Sequence, residues 1–135
     1  MRVLLDTHTF LWFIFADPQL SVTAVNAIGD PDNERLLSMA SIWEIAIKVQ
    51  LGKLRLPTPL DTFLHEQIVT NQVRLLPIEF AHAVFVHSLP HGHLANGNDH
   101  KDPFDRLIVS QAIVEGIALA SIDGVLDGYG VNRIW

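Results

Sequence analysis

The chain reads as an α/β protein: a mostly parallel five-stranded sheet with helices on both faces. Three observations predict this. Short apolar runs alternate with segments of helical spacing along the sequence. The runs are apolar at every residue rather than at every second one, as strands covered on both faces are. Capping residues, prolines and glycines sit at the joints, so each helix has a legible start or stop.

Arg2 to Leu5 is a buried-strand signal that ends at Asp6. A helix is expected from Thr7 to Phe15, stopping before Asp17-Pro18, because the residue before a proline is pushed out of the helical region. Ser21 can cap a second helix to Ile28, which Gly29-Asp30-Pro31 ends. Arg35 to Met39 reads as a second strand. Ser41 to Leu51 reads as a helix, with Ile42, Ile45 and Val49 at helical spacing and Gly52 where a terminating glycine belongs. Thr58-Pro59 opens a further helix through Leu60, Leu64 and Ile68. Val73 to Leu76 is a third strand, and Glu79 to His87 is helical. Leu89 to Lys101 is a Gly-, His- and Asn-rich loop. Asp102-Pro103 starts a helix that runs to Glu115 and stops at Gly116. Ile117 to Ile122 and Val131 to Ile134 complete the sheet.

All 135 residues are expected to form one domain, long enough to bury a core unaided. The absence of cysteine excludes a disulfide framework, a thiolate zinc site and a thiol nucleophile. Asp6 and His8 interrupt the apolar N-terminus, and no uncharged stretch approaches the roughly 18 residues of a membrane span, so a soluble cytoplasmic chain is expected. A net charge of −6 argues against a basic module that coats nucleic acid. It does not argue against metal chemistry, since acidic residues are ligands.

Parallel sheets bind ligands beyond the carboxyl ends of their strands. Asp6 ends the first strand and Asp123 follows the fourth. Glu44 falls in the first turn of the helix after the second strand, and Asp105 in the first turn of the helix that feeds the fourth. Four carboxylates at one edge repel one another, and a hard divalent cation such as Mg²⁺ or Mn²⁺ removes the conflict. Such a centre can hydrolyse a phosphodiester. Three of the four acids also have a structural reading; Asp6, which ends an apolar strand, is the least easily dismissed. Ser41 and Glu44 spell a capping box, and Glu44 and Lys48 an i,i+4 pair. Asp102 is an N-cap, Asp105 suits a helix dipole, and Asp123 can cap a short turn. The metal reading rests on all four meeting at one edge.

Among other polar residues, Thr7 and Ser121 flank the strand-end acids and can orient a ligand or satisfy a turn. Arg106 can pair with a phosphate or with Asp102, and Lys48, Lys53, Arg55 and Lys101 are candidate phosphate contacts. The histidines His87, His91, His93 and His100 read as a solvated loop, and His8 as a packing or helix-start residue. Trp12 and Trp43 read as core or interface residues, and the helices around Trp12 and Ile45 as a dimer surface.

The segments LLDTHTFLW, SIWEIAIKVQLGKL, HKDPFDRLIVSQA and SIDGVLDGYGV resemble, in order and over nearly the whole chain, the PIN-domain ribonucleases, and most of all the VapC toxins of toxin–antitoxin pairs. DPFDR followed by an apolar helix with Gln-Ala is the most specific part. The resemblance implies that Asp6, Glu44 and Asp105 bind metal, with Asp123 as the fourth acid and Asp102 as either ligand or cap. It further implies Mg²⁺ or Mn²⁺, cleavage of single-stranded RNA, a homodimer, and a cognate antitoxin whose tail blocks the site. The loop before DPFDR is longer than the pattern, with HLANGNDH inserted. Competing readings are a haloacid-dehalogenase-like phosphatase, disfavoured by His8 where a second Asp is needed, and a non-catalytic PIN-like binding module. A phospho-receiver domain fails for want of an Asp after Leu76.

Overall fold

The computed structural model describes residues 1–94, 96–100 and 102–135. Strand β1 (Arg2–Leu5) is the centre of a five-stranded sheet. Strands β2 (Glu34–Ser38) and β3 (Val73–Leu76) extend it on one side, and β6 (Ala118–Ala120) and β7 (Arg133–Ile134) on the other. Every neighbouring pair in this sheet is parallel. The expected mostly parallel, five-stranded architecture is therefore what the chain adopts.

Alternate residues of β1 enter different layers, as the two-residue period of a strand requires. Val3 and Leu5 pack with Phe10 of α1 (Thr7–Ile14), Ile28 of α2 (Val22–Gly29), Ile45 of α3 (Met39–Gln50) and Phe63 of α4 (Leu60–Thr70). Leu4 packs on the other face with Ile108, Val109 and Ala112 of α6 (Pro103–Glu115). Helix α5 (Phe80–Phe85) lies against α6 and continues as a 3-10 turn, Val86–Ser88. Among the described residues no helix is long and apolar enough to cross a membrane.

Several boundaries move, each for a local reason. The helix after β2 begins at Met39, because Ser38 Oγ accepts from Ala40 N at 3.0 Å. Ser41 is thus no cap: it is buried inside α3, and Glu44 falls in the second turn instead of the first. Strand β6 ends at Ala120, short of Ile122, and Ser121 Oγ turns the chain by accepting from Asp123 N at 3.1 Å. The segment expected to be loop contains an antiparallel hairpin, β4 (Gly92–His93) with β5 (Asp99–His100). Ile45 is fully buried and belongs to the core. Trp43 is 60% exposed, edge-on to Phe104, so it is not a core residue.

One buried amide locks the two layers around the sheet edge. The Ser38 hydroxyl donates to Gln111 Oε1 of α6, and Gln111 Nε2 donates to the Pro77 carbonyl at 3.1 Å. This joins the ends of β2 and β3 to α6. It fixes the helix that carries Glu44 relative to the helix that carries Asp105.

Candidate active site

The carboxyl edge of the sheet opens into a cleft of about 510 Å³ lined by Asp6, His8, Trp12, Glu44, Lys48, Asp102, Asp105, Ile122 and Asp123. Acids far apart in sequence therefore meet in one place. The fold holds them there by giving three of them a second task. Asp6 caps α1, its Oδ1 accepting from Thr9 N at 2.8 Å. Asp102 caps α6, its Oδ1 accepting from Asp105 N at 3.0 Å. Asp123 caps the 3-10 turn Gly124–Tyr129, its Oδ1 accepting from Val125 N at 3.1 Å. The backbone bond from Asp6 N to Ala120 O, 3.1 Å, keeps the ends of β1 and β6 side by side.

Glu44 comes from α3 and is oriented by its neighbours. Thr7 Oγ1 lies 2.6 Å from Glu44 Oε1 and 3.0 Å from Ser41 Oγ. A hydroxyl has one proton, and a carboxylate is the stronger acceptor, so Thr7 donates to Glu44 and accepts a hydrogen bond from the Ser41 hydroxyl. Lys48 Nζ sits 3.1 Å from Glu44 Oε2, the expected i,i+4 pair. Thr7 thus positions an acid, whereas Ser121 serves a turn.

Asp105 is the most perturbed acid. Burial pushes its carboxyl up to about 6; Asp102, and to a lesser degree Asp6, add to the rise, and His100 pulls the other way. The site binds the anionic form poorly without a counterion. A cleft lined by carboxylates, one of them kept from ionising chiefly by burial and secondarily by its acidic neighbours, has the oxygen chemistry that suits a hard divalent cation. Asp6, Glu44, Asp105 and Asp123 all line this cleft.

Some expectations need correction. His100 is no solvated loop residue: it is buried at the end of β5. Its Nε2 is 3.1 Å from Asp105 Oδ2 and its Nδ1 is 2.7 Å from Tyr129 Oη. Ligand atoms of His100, Asp105 and Asp123 lie within 4.8 Å of one another. Sequence reasoning missed His100, whose only signal was its place two residues before Asp102. Arg106 donates to Tyr129 Oη at 3.1 Å and stacks over that ring, 5.5 Å from its centroid; its partner is not Asp102. His8 is exposed beside Trp12 and lines the cleft instead of packing inside. Trp12 is half-buried against Trp135. Lys53 lines an adjoining groove with Trp12 and Phe15. Lys101 lies outside the described residues.

Comparison with known proteins agrees with this geometry. The sequence profile of the PIN domain matches residues 3–131. The chain is 38% identical to Ribonuclease VapC16 of Mycobacterium tuberculosis over 69 residues, a match that spans 49% of that protein and 48% of this one. It is 30% identical to Ribonuclease VapC22 of the same organism over 121 residues, covering 90% of this chain and 86% of that one. Solved structures share the fold. VapBC2 from Rickettsia felis, bound to a DNA fragment from its promoter, superposes with a TM-score of 0.70 at 14% identity over 98% of this chain and 97% of that one. FitAcB from Neisseria gonorrhoeae gives 0.63 at 20% identity, over 97% and 95%. The parallel sheet, the acids gathered at its carboxyl edge and the match along almost the full length all lead to one assignment: the chain belongs to the PIN-domain family and is of the VapC type.

Proposed function

We propose that this chain is a divalent-metal-dependent endoribonuclease, the toxin of a toxin–antitoxin pair, and that residues 1–135 form a single PIN domain. The observation that carries the reading is the cleft itself, in which Asp6, Glu44, Asp105 and Asp123 share one wall-to-wall space. The ribonuclease names of its relatives VapC16 and VapC22 support the reaction class. The VapBC and FitAB assemblies among its structural neighbours support an antitoxin partner and an oligomer, here a homodimer.

Asp6 and Asp105 would hold the first Mg²⁺ or Mn²⁺, and Glu44 and Asp123 would complete the site. When bound, the ion supplies Lewis-acid stabilisation of phosphoryl oxygens and eases the ionisation of water. Thr7 keeps Glu44 in its rotamer, and Lys48 balances the outer oxygen of Glu44 while facing the cleft, where an RNA phosphate arrives. Asp102 mainly caps α6, and Ser121 and Arg106 act on the frame rather than on the substrate. Hydrolysis leaves 5′-phosphate and 3′-hydroxyl ends, and the chain acts in the cytoplasm, where its substrate is.

The test is cleavage of a panel of cellular RNAs with Mg²⁺, with Mn²⁺ and with chelator. Cleavage is expected with either ion and none with chelator; cleavage indifferent to chelator would reject the reading. Asp6→Asn is expected to keep the fold, seen by circular dichroism, and to lose on the order of 10²–10³-fold in rate.

A further inference from the structure

We propose that His100 is a positioning residue that fixes Asp105 through a directed relay from Arg106 and Tyr129, and that it is not itself a metal ligand. The inference rests on the metal-nuclease reading above and adds to it the group that makes Asp105 competent.

The direction of the relay follows from counting protons. A guanidinium only donates, so the 3.1 Å bond from Arg106 Nη1 makes the Tyr129 oxygen an acceptor. The phenol's single proton then goes to its nearest acceptor, His100 Nδ1 at 2.7 Å, since the alternative, the His100 carbonyl, is 3.5 Å away. With Nδ1 accepting, the ring carries its proton on Nε2, which donates to Asp105 Oδ2 at 3.1 Å. Arg106, Tyr129, His100 and Asp105 thus form one chain of bonds pointing at a carboxylate. Asp105 Oδ1 is left as the oxygen for an ion.

The same count answers the competing role. His100, Asp105 and Asp123 lie close enough to share a cation. A ligating imidazole needs a free lone pair on the nitrogen that faces the ion, and the relay places a proton there. His100 is therefore a second-layer residue of the kind that sets ligand orientation and tunes affinity. Its delivery explains the hairpin. The β4–β5 turn carries Gly97 at φ +84 and is closed by Leu94 N to Asn98 O at 2.8 Å. Strand β5 then ends with His100 buried under Tyr129, at a T-shaped ring angle of 60°. Tyr129 is itself fixed by the turn that starts at Asp123, so the relay ties the frames of two acids together.

Two measurements on the full chain test this. The first is a two-bond ¹⁵N–¹H spectrum of the metal-free protein, which reports the histidine tautomer. A proton on Nε2 of His100 is expected, and a proton on Nδ1 would overturn the relay. The second is Mn²⁺ binding followed by electron paramagnetic resonance. His100→Ala is expected to weaken Mn²⁺ about 10- to 100-fold and to lower kcat with KM nearly unchanged. His100→Gln should recover most of the loss, because its amide offers an acceptor and a donor in the same order. Tyr129→Phe, which keeps the ring and removes the proton source, should lose several-fold. Wild-type affinity in a folded His100→Ala variant, or coupling of an imidazole nitrogen to bound Mn²⁺, would overturn the proposal. Asp105→Asn separates the two layers of inference. If it abolishes Mn²⁺ binding while His100→Ala does not weaken it, the relay alone is wrong. If the wild-type chain binds no Mn²⁺, the nuclease reading falls and the relay with it.

Discussion

Asp105 shows how a single residue can serve function against stability. Its folded pKa, about 6, lies above the ordinary carboxylate value of 3.8. Between those values the folded chain holds a proton that the unfolded chain has lost, so stability falls as pH rises through this window. The contribution is full below 3.8 and gone above about 6. The metal-free protein is therefore expected to melt at lower temperature at pH 7 than at pH 5 through this group, and Asp105→Asn to remove that difference and raise the melting temperature at pH 7. Saturating Mg²⁺ should restore the wild type at pH 7, because the ion replaces the missing proton. Thermal melts at both pH values check this.

The acids were legible in the sequence because each sits at a joint where local grammar applies: Asp6 after a strand, Asp102 and Asp105 around a proline, Asp123 before a turn. Glu44 was placed one turn too early, since its helix is capped by Ser38, three residues before the serine that seemed to cap it. His100 was not legible. What buries it is a tyrosine 29 residues further on, and a hairpin whose strands are two residues each, too short to show a period.

At the scale of elements, α6 was read almost to the residue, since both of its ends are set by local chemistry. Asp102 caps it, Pro103 opens it, and Gly116 closes it at φ +66 with nothing within 4 Å of a hypothetical Cβ. Gly116→Ala is thus a pure backbone test: a loss of about 1 kcal/mol in urea unfolding is expected, with cleavage unaffected. The start of α3 was misread because two serines, Ser38 and Ser41, both stand where a cap is possible. Pairing of Ser38 with Leu76 of β3, together with its cap on α3, sets where the strand stops. Gln111 then joins these ends to α6. Gln111→Leu leaves the Ser38 hydroxyl and the Pro77 carbonyl without their partner. It should cost about 1–3 kcal/mol, and should slow cleavage as well, because α3 and α6 lose their fixed separation. A variant that is destabilised yet fully active would show that the amide supports the fold alone.

The whole molecule has the wrong sign for its proposed substrate. At a net charge of −6 it repels RNA, and the cleft concentrates that charge. Divalent ions must then do the electrostatic work that lysines do elsewhere. The Asp123→Asn variant, expected to lose cleavage under the proposed function, should hold single-stranded RNA at least about tenfold more tightly in Mg²⁺ than in chelator at equal ionic strength, by filter binding. Equal affinity in both would place RNA recognition outside the acidic cleft. The surface also leaves Leu75, Ile78, Phe80 and Val84 exposed on the β3 and α5 side, with Phe80 at 85%. Further exposed apolar area lies on the helices around Trp12 and Ile45, at Phe15, Met39, Trp43 and Leu51, although Ile45 itself is buried.

The capping bonds have a consequence for how such a chain is disarmed. Asp6, Asp102 and Asp123 each give Oδ1 to their own backbone. Asparagine offers that same oxygen in the same shape, so Asp6→Asn should lose only tenths of a kcal/mol where Asp6→Ala loses about 1. One altered base converts an aspartate codon to an asparagine codon. Under the proposed function, a lineage burdened by the activity would have a single-step escape: a chain expected to keep its fold and to lose most of its cleavage.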